Sequence, residues 1–179
     1  MDGARIFNAA AALGVTVREL AATADSLSFC LSKGLAAPVG SLVCADTDFI
    51  TRARRYRKVL GGGMRQAGVL AAAGIVALEE MPARLADDHA NARRLAEGLV
   101  GLPGIQLDPD RVRTNIVYID FQPETPPAAD IAARLGRHGV RVLATGPDQI
   151  RAVTHHGICE DDIGRSLEVF AQVMGSASA

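Results

Sequence analysis

The apolar positions along the chain change period several times, and each change predicts a new element. A small-residue apolar run predicts a helix from Ile6 to about Leu13, followed by a helical turn at Val17 to Thr23. Ser26 to Cys30 and Leu42 to Cys44 read as short strands. Asp46 to Val59 has an acidic first turn and a cationic last turn, as the helix dipole favours, and Gly61-Gly62-Gly63 ends it. Met64 to Glu80 predicts a small-residue helix, apolar nearly all round, and is expected to be buried against a sheet or another subunit.

Pro82 interrupts the pattern, and the composition shifts after it. Ala83 to Val100 predicts a charged amphipathic helix, Ile105 to Leu107 and Thr114 to Phe121 strands, and Ala128 to His138 a helix. Val140 to Ala144 and Ile150 to Thr154 are expected as strands close enough in sequence to pair as a hairpin, before a closing helix from about Glu160 to Met174. The expected boundary near Pro82 gives two domains, residues 1–82 and a compact α+β domain over residues 83–179.

Composition narrows the classes. With 179 residues, 49% apolar content and a formal net charge of −1, the chain has enough apolar material for one domain or two small ones, and no basic excess points to nucleic acid. The apolar stretch Val69 to Leu78 is too short to span a bilayer, so no membrane partner is expected. Cys30, Cys44 and Cys159 are scattered and lack C-x-x-C spacing, which suggests neither a disulfide framework nor a metal site and makes a reducing, cytoplasmic compartment the default. Disorder is expected only in the Ser/Ala tail from Gly175 and the Pro-rich turn Gln122 to Pro127.

Lys33 carries the first chemical signal. It is one of two lysines in a chain that otherwise uses arginine, and it lies in Ser28-Phe-Cys-Leu-Ser-Lys33-Gly-Leu-Ala-Ala-Pro-Val-Gly-Ser41. An amine can be made nucleophilic and form an imine, whereas a guanidinium stays protonated. A surface lysine in a loop is the competing reading. Asp2 is a candidate for the acid that a pyridoxal phosphate (PLP) site places against the pyridine nitrogen so that the ring accepts electrons, with an exposed terminal carboxylate as the competing reading.

Asp2-Gly-Ala-Arg5, followed by Ser32-Lys33-Gly-Leu-Ala-Ala-Pro-Val-Gly40, resembles the low-specificity L-threonine aldolases, fold-type I PLP enzymes of the β-eliminating lyase group. The likeness continues through Arg57-Lys-Val-Leu-Gly-Gly-Gly-Met-Arg65-Gln-Ala-Gly68 and returns at Arg151-Ala-Val-Thr-His155, so it covers nearly the whole chain. It implies the C-terminal part of an aspartate aminotransferase-like PLP-binding large domain followed by a small α+β domain. In that family the Asp-Gly-Ala-Arg motif lies near mid-chain, so the sequence is expected to be a C-terminal half, without the phosphate-binding turn, the ring-stacking residue and several central strands.

The resemblance assigns roles residue by residue. Lys33 is the Schiff-base lysine, Asp2 the partner of the pyridine nitrogen, and Arg5 the cation on the phenolic-oxygen side, with a helix salt bridge as its alternative. Arg65 reaches the cofactor phosphate, across a subunit interface, and Lys58 lies near the same place, where a solvated helix-end lysine is the competing reading. Arg151 grips the substrate α-carboxylate as a planar bidentate donor, against the alternative of a pair with Asp148 or Asp161. His155 and His156 are weaker candidates for a base, since neighbours on a strand face opposite ways; Gly157 stands where family members often carry an acid.

The implied reaction is reversible aldol cleavage of a β-hydroxy amino acid, threonine or allo-threonine, to glycine and an aldehyde, in a homotetramer or dimer. The base for the β-hydroxyl is not legible. Two other readings remain open: an inactive remnant that folds or assembles without chemistry, and another fold-type I lyase or aminotransferase. A chain without several central strands exposes edges and apolar surface, so poor solubility is expected unless it associates.

Overall fold

The computed structural model describes residues 1–175; the expected disorder of the Ser/Ala tail falls outside them. The chain divides into two compact units, Met1–Ala86 and Asp87–Ala179.

In the first unit, α1 (Ile6–Leu13) ends where Gly14 turns left-handed at φ 67°, and α2 (Val17–Ala21) opens on a capping box between Thr16 and Glu19. The Thr16 amide and hydroxyl hold the Glu19 carboxyl below its ordinary range. β1 (Ser26–Cys30) and β2 (Ser41–Ala45) form an antiparallel hairpin with Ser26 opposite Ala45 and Cys30 opposite Ser41. Leu27 and Phe29 alternate inward from β1 and join Ile6, Leu31, Leu35 and Leu85 in the core of this unit. Phe7 packs edge-on against Phe29 with ring centroids 5.5 Å apart, docking α1 on β1. α3 (Thr47–Val59) is capped by Asp46, whose carboxylate accepts the Phe49 amide at 2.7 Å, and it buries none of its residues.

The expected break at Pro82 is absent. α4 runs without interruption from Gly68 to Leu99 with Pro82 inside it. A proline removes one helical hydrogen bond and crowds the carbonyl four residues back. Here Ala77 before it and Leu85 after it are both anchored in one core, so packing outweighs the local cost. The helix also starts later than Met64: Arg65 to Ala67 form a turn in which Gln66 has φ 51°, a left-handed value that a helix excludes. Nor is the apolar stretch after Met64 buried. Val69, Ile75 and Val76 are exposed, because only Gly74 and Ala77 of this stretch are buried.

The second unit is an antiparallel sheet of four strands, β3 (Ile105–Gln106), β4 (Ile116–Phe121), β5 (Leu143–Ala144) and β6 (Gln149–Val153), in the order β3-β4-β6-β5. Val117, Ile119 and Phe121 of β4 and Ile150 and Ala152 of β6 point to one face, which three helical segments cover. These are the end of α4, α5 (Ala128–Arg137) and α6 (Glu160–Gly175), which bring Leu99, Leu135 and Phe170 into the core. At the start of α6 the Asp162 carboxylate accepts the Cys159 amide at 3.0 Å, and this bond holds its pKa below the ordinary value.

Candidate active site

Asp2 lies beside β1, the strand that leads to Lys33. It forms a parallel bridge with Ser28 of β1; the Gly3 amide donates to the Ser28 carbonyl at 2.7 Å and the Ser28 amide to the Met1 carbonyl at 3.1 Å. Close approach is required here, since a Cβ on Gly3 would stand 2.5 Å from Leu27 Cδ1. The Asp2 carboxylate accepts the Ala4 amide at 3.1 Å and remains exposed.

Arg5 follows at the N-cap of α1, with its Nε buried and without a hydrogen-bond partner. A buried donor left unpaired costs about 1–3 kcal/mol, so such an atom marks a place where an acceptor is expected. The helix salt bridge weighed for Arg5 is not formed among the described residues.

Lys33 sits at the turn that joins β1 to β2. The Leu31 amide donates to the Gly40 carbonyl at 3.0 Å, the Ala37 amide to the Leu31 carbonyl at 3.0 Å, and the Ala36 amide closes a tight turn on the Lys33 carbonyl at 2.9 Å. Leu31, Leu35 and Ala37 are buried beneath the turn while Lys33 is exposed. Ala36 adopts φ 57°, a conformation that disfavours a Cβ and is kept only where the surroundings enforce it. Asp2, Arg5 and Lys33 are therefore all carried by β1 and the segments bonded or packed to it.

Lys58 and Arg65 flank the triple glycine. α3 stops as the Gly62 amide turns back to the Arg57 carbonyl at 2.7 Å, and the Lys58 Nζ lies 3.7 Å from the position of a Cβ on Gly63. Arg65 is exposed and precedes α4 by three residues, so it stands in the turn before the helix rather than on its first amides.

In the second unit, Arg151 occupies the middle of β6, not its opening, paired across the sheet with Tyr118 on one side and Leu143 on the other. It projects from the face opposite the helices, and its Nε is buried without a partner. The alternative pairing with Asp148 or Asp161 does not occur. An open groove of about 640 Å³ lies along the same face between Tyr118, Asp120, Gln149 and Arg111. His155 and His156 lie beyond the end of β6, both exposed, so strand alternation does not separate them; His155 Nδ1 lies 2.8 Å from its neighbour's carbonyl.

Sequence reasoning missed two buried polar features. Asn8 is 2% exposed beneath the Lys33 turn, and its only sequence signal is that it is the one polar residue in α1. Asn115 donates to the Thr154 carbonyl at 2.7 Å, and the Thr154 hydroxyl donates to the Asp88 carbonyl at 2.6 Å, tying the end of β6 to α4. No spacing in the sequence announces that pair.

The β1–β2 hairpin with its helices and the four-stranded sheet covered by helices on one face have the fold of the C-terminal part of a fold-type I PLP-dependent large domain and its small α+β domain. A solved structure of a Leishmania major threonine aldolase shares this fold, with a TM-score of 0.72 at 19% identity over 97% of this chain and 51% of that one. The model of the β-eliminating lyase family matches residues 1–122, and the chain belongs to that family. A probable low-specificity L-threonine aldolase 2 of Arabidopsis thaliana is 48% identical over 98% of this chain and 50% of its own length. The low specificity L-threonine aldolase of Escherichia coli K12 is 43% identical over 91% of this chain and 47% of its own. The chain thus spans about half the length of the curated relatives it matches. Members of the family are PLP-dependent. Among the described residues, no helix is long and apolar enough to cross a membrane.

Proposed function

We propose that this chain supplies the C-terminal half of a cytoplasmic PLP-dependent lyase that cleaves L-threonine and L-allo-threonine to glycine and an aldehyde. One observation carries the reading: Asp2 pairs with β1, and β1 leads into the turn that presents the Lys33 amine. PLP, when bound, supplies an aldehyde carbon for an amine and a ring that accepts electrons from the substrate.

The chain's own residues take part of the remaining work. The Lys33 amine would hold the cofactor through its aldehyde carbon. Asp2, exposed beside the strand, would accept a hydrogen bond from the protonated ring nitrogen and keep that nitrogen charged. The unpartnered Nε atoms of Arg5 and Arg151 support a fit to acceptor groups, a phenolic oxygen and an α-carboxylate respectively. Arg65, with Lys58 beside the triple glycine, offers cations to a phosphate and, in a homodimer or homotetramer, to that of a neighbouring subunit. The exposed Leu42, Val43, Phe49, Tyr56, Val69 and Ile75 favour association over a free monomer.

The test is an absorbance titration of the purified chain with PLP, beside Lys33→Ala, followed by borohydride reduction and peptide mapping. A new visible band and a reduced adduct at Lys33, both lost in the variant, support the reading, and a glycine-plus-acetaldehyde assay then reads turnover. A folded chain whose adduct maps to Lys58, or that forms none with its N-terminal counterpart supplied, refutes it.

A further inference from the structure

We infer that Asn8 is a positioning residue: its buried side-chain amide is the seat on which the Lys33 turn rests, and Gly34 is glycine so that the turn can close onto it. The contact deepens the lyase reading by naming what aims its nucleophile, although the packing itself stands without that reading.

The Lys33 turn is tied by its own backbone bonds at Leu31, Ala36 and Ala37, yet it holds one strained residue. Lys33 is exposed, its own closure is a single backbone bond from Ala36, and Ala36 stands at φ 57°, where a residue with a Cβ is strained. Packing from outside the turn adds to that enforcement. A Cβ on Gly34 would lie 2.6 Å from Asn8 Oδ1, 3.4 Å from Asn8 Cγ and 3.2 Å from Leu85 Cδ2, so the Gly34 backbone is pressed against the amide with no room for a side chain.

Asn8 sits in IFNAAAAL, where alanine is the best helix former, yet the position keeps an amide that is 2% exposed. Buried amides are kept with partners, and Asn8 is not without one. Its contact with Gly34 is a further one that an alanine could not make. Asn8 lies three residues after Arg5 and six after Asp2, so one short segment carries the acid, the arginine and the seat of the lysine. The Cys30 amide, donating to the Ala4 carbonyl at 3.4 Å, adds a second tie between that segment and the strand before the turn.

The two lysines of the chain provide an internal standard. Trace acetylation of the whole chain, followed by peptide mapping, gives the labelling of Lys33 relative to Lys58 without any cofactor. Gly34→Ala is expected to change this ratio by about threefold or more, and Asn8→Ala in the Gly34→Ala background to return it toward the parent value, because touching residues couple. An unchanged ratio in Gly34→Ala, or the same change in both backgrounds, overturns the inference.

If Gly34→Ala does not fold, Asn8→Ser keeps Gly34 and shortens the seat. Hydrogen exchange at the Ala36 amide, bonded to the Lys33 carbonyl, should then quicken by about tenfold relative to amides within β1, as local opening becomes easier. Exchange unchanged at Ala36 in a folded Asn8→Ser chain overturns it as well. Failure of the PLP titration with a positive labelling result would reject the lyase reading and leave the seat intact.

Discussion

Arg151→Met should make the second unit more stable while removing its candidate carboxylate grip. The Arg151 Nε is buried without a hydrogen-bond partner, and among the described residues Arg151 makes no ion pair. Leaving such a donor unpaired costs about 1–3 kcal/mol. Methionine retains an unbranched apolar stem against the neighbouring Tyr118 and Leu143 and deletes the donor. Allowing for packing lost with the longer side chain, the expected gain is about 1 kcal/mol, the lower end of that range. With a urea dependence of about 2 kcal/mol per molar, the midpoint rises by roughly 0.5 M. The assay is urea unfolding followed by circular dichroism for the parent, Arg151→Met and Arg151→Lys. A midpoint that falls in Arg151→Met refutes the reasoning, since it would mean that the guanidinium is satisfied in the fold and serves structure. A stabilised variant that binds the substrate carboxylate as well as the parent, in the PLP-loaded complex with the N-terminal counterpart, would leave the strain explained and the grip misassigned.

Other outcomes follow from the same structure. Phe170→Ala empties a fully buried position in the second unit and should cost about 3–5 kcal/mol, read by urea unfolding. Ala36→Gly relieves the left-handed Cβ at φ 57° and should raise the unfolding midpoint of the first unit by an amount worth about 1 kcal/mol. Asp162 is held below its ordinary pKa by the Cys159 amide, so its contribution is present above the unfolded carboxylate value and is lost as the pH falls through the lower folded value. Asp162→Asn should therefore flatten the acid limb of a stability–pH curve below about pH 4, and an identical limb would reject the link.

Much of the architecture is legible along the chain because its cues are local. The helix at Ile6 to Leu13, the strand at Ser26 to Cys30 and the Asp46 cap follow from periodicity and capping chemistry that act within a few residues. Asp2, Arg5, Lys33 and Arg151 are legible for a different reason, their place in motifs resembling one family. Pro82 misleads because its local cost is real but smaller than the packing of Ala77 and Leu85 on either side of it. The apolar run after Met64 misleads too, since hydrophobicity states a need for cover and cannot say whether this chain supplies it.

The sequence by itself thus determined most of the elements outside α4 and the family to which the chain belongs, and it nominated Asp2 and Lys33 as candidates. Tertiary structure alone decided that Asp2 pairs with Ser28, that Arg5 and Arg151 each bury an unpaired Nε, and that Asn8 meets Gly34 across 26 residues. The reason is physical: propensity and capping energies are set by neighbours in the chain, whereas desolvation and steric closure depend on which distant segments packing brings within a few ångströms.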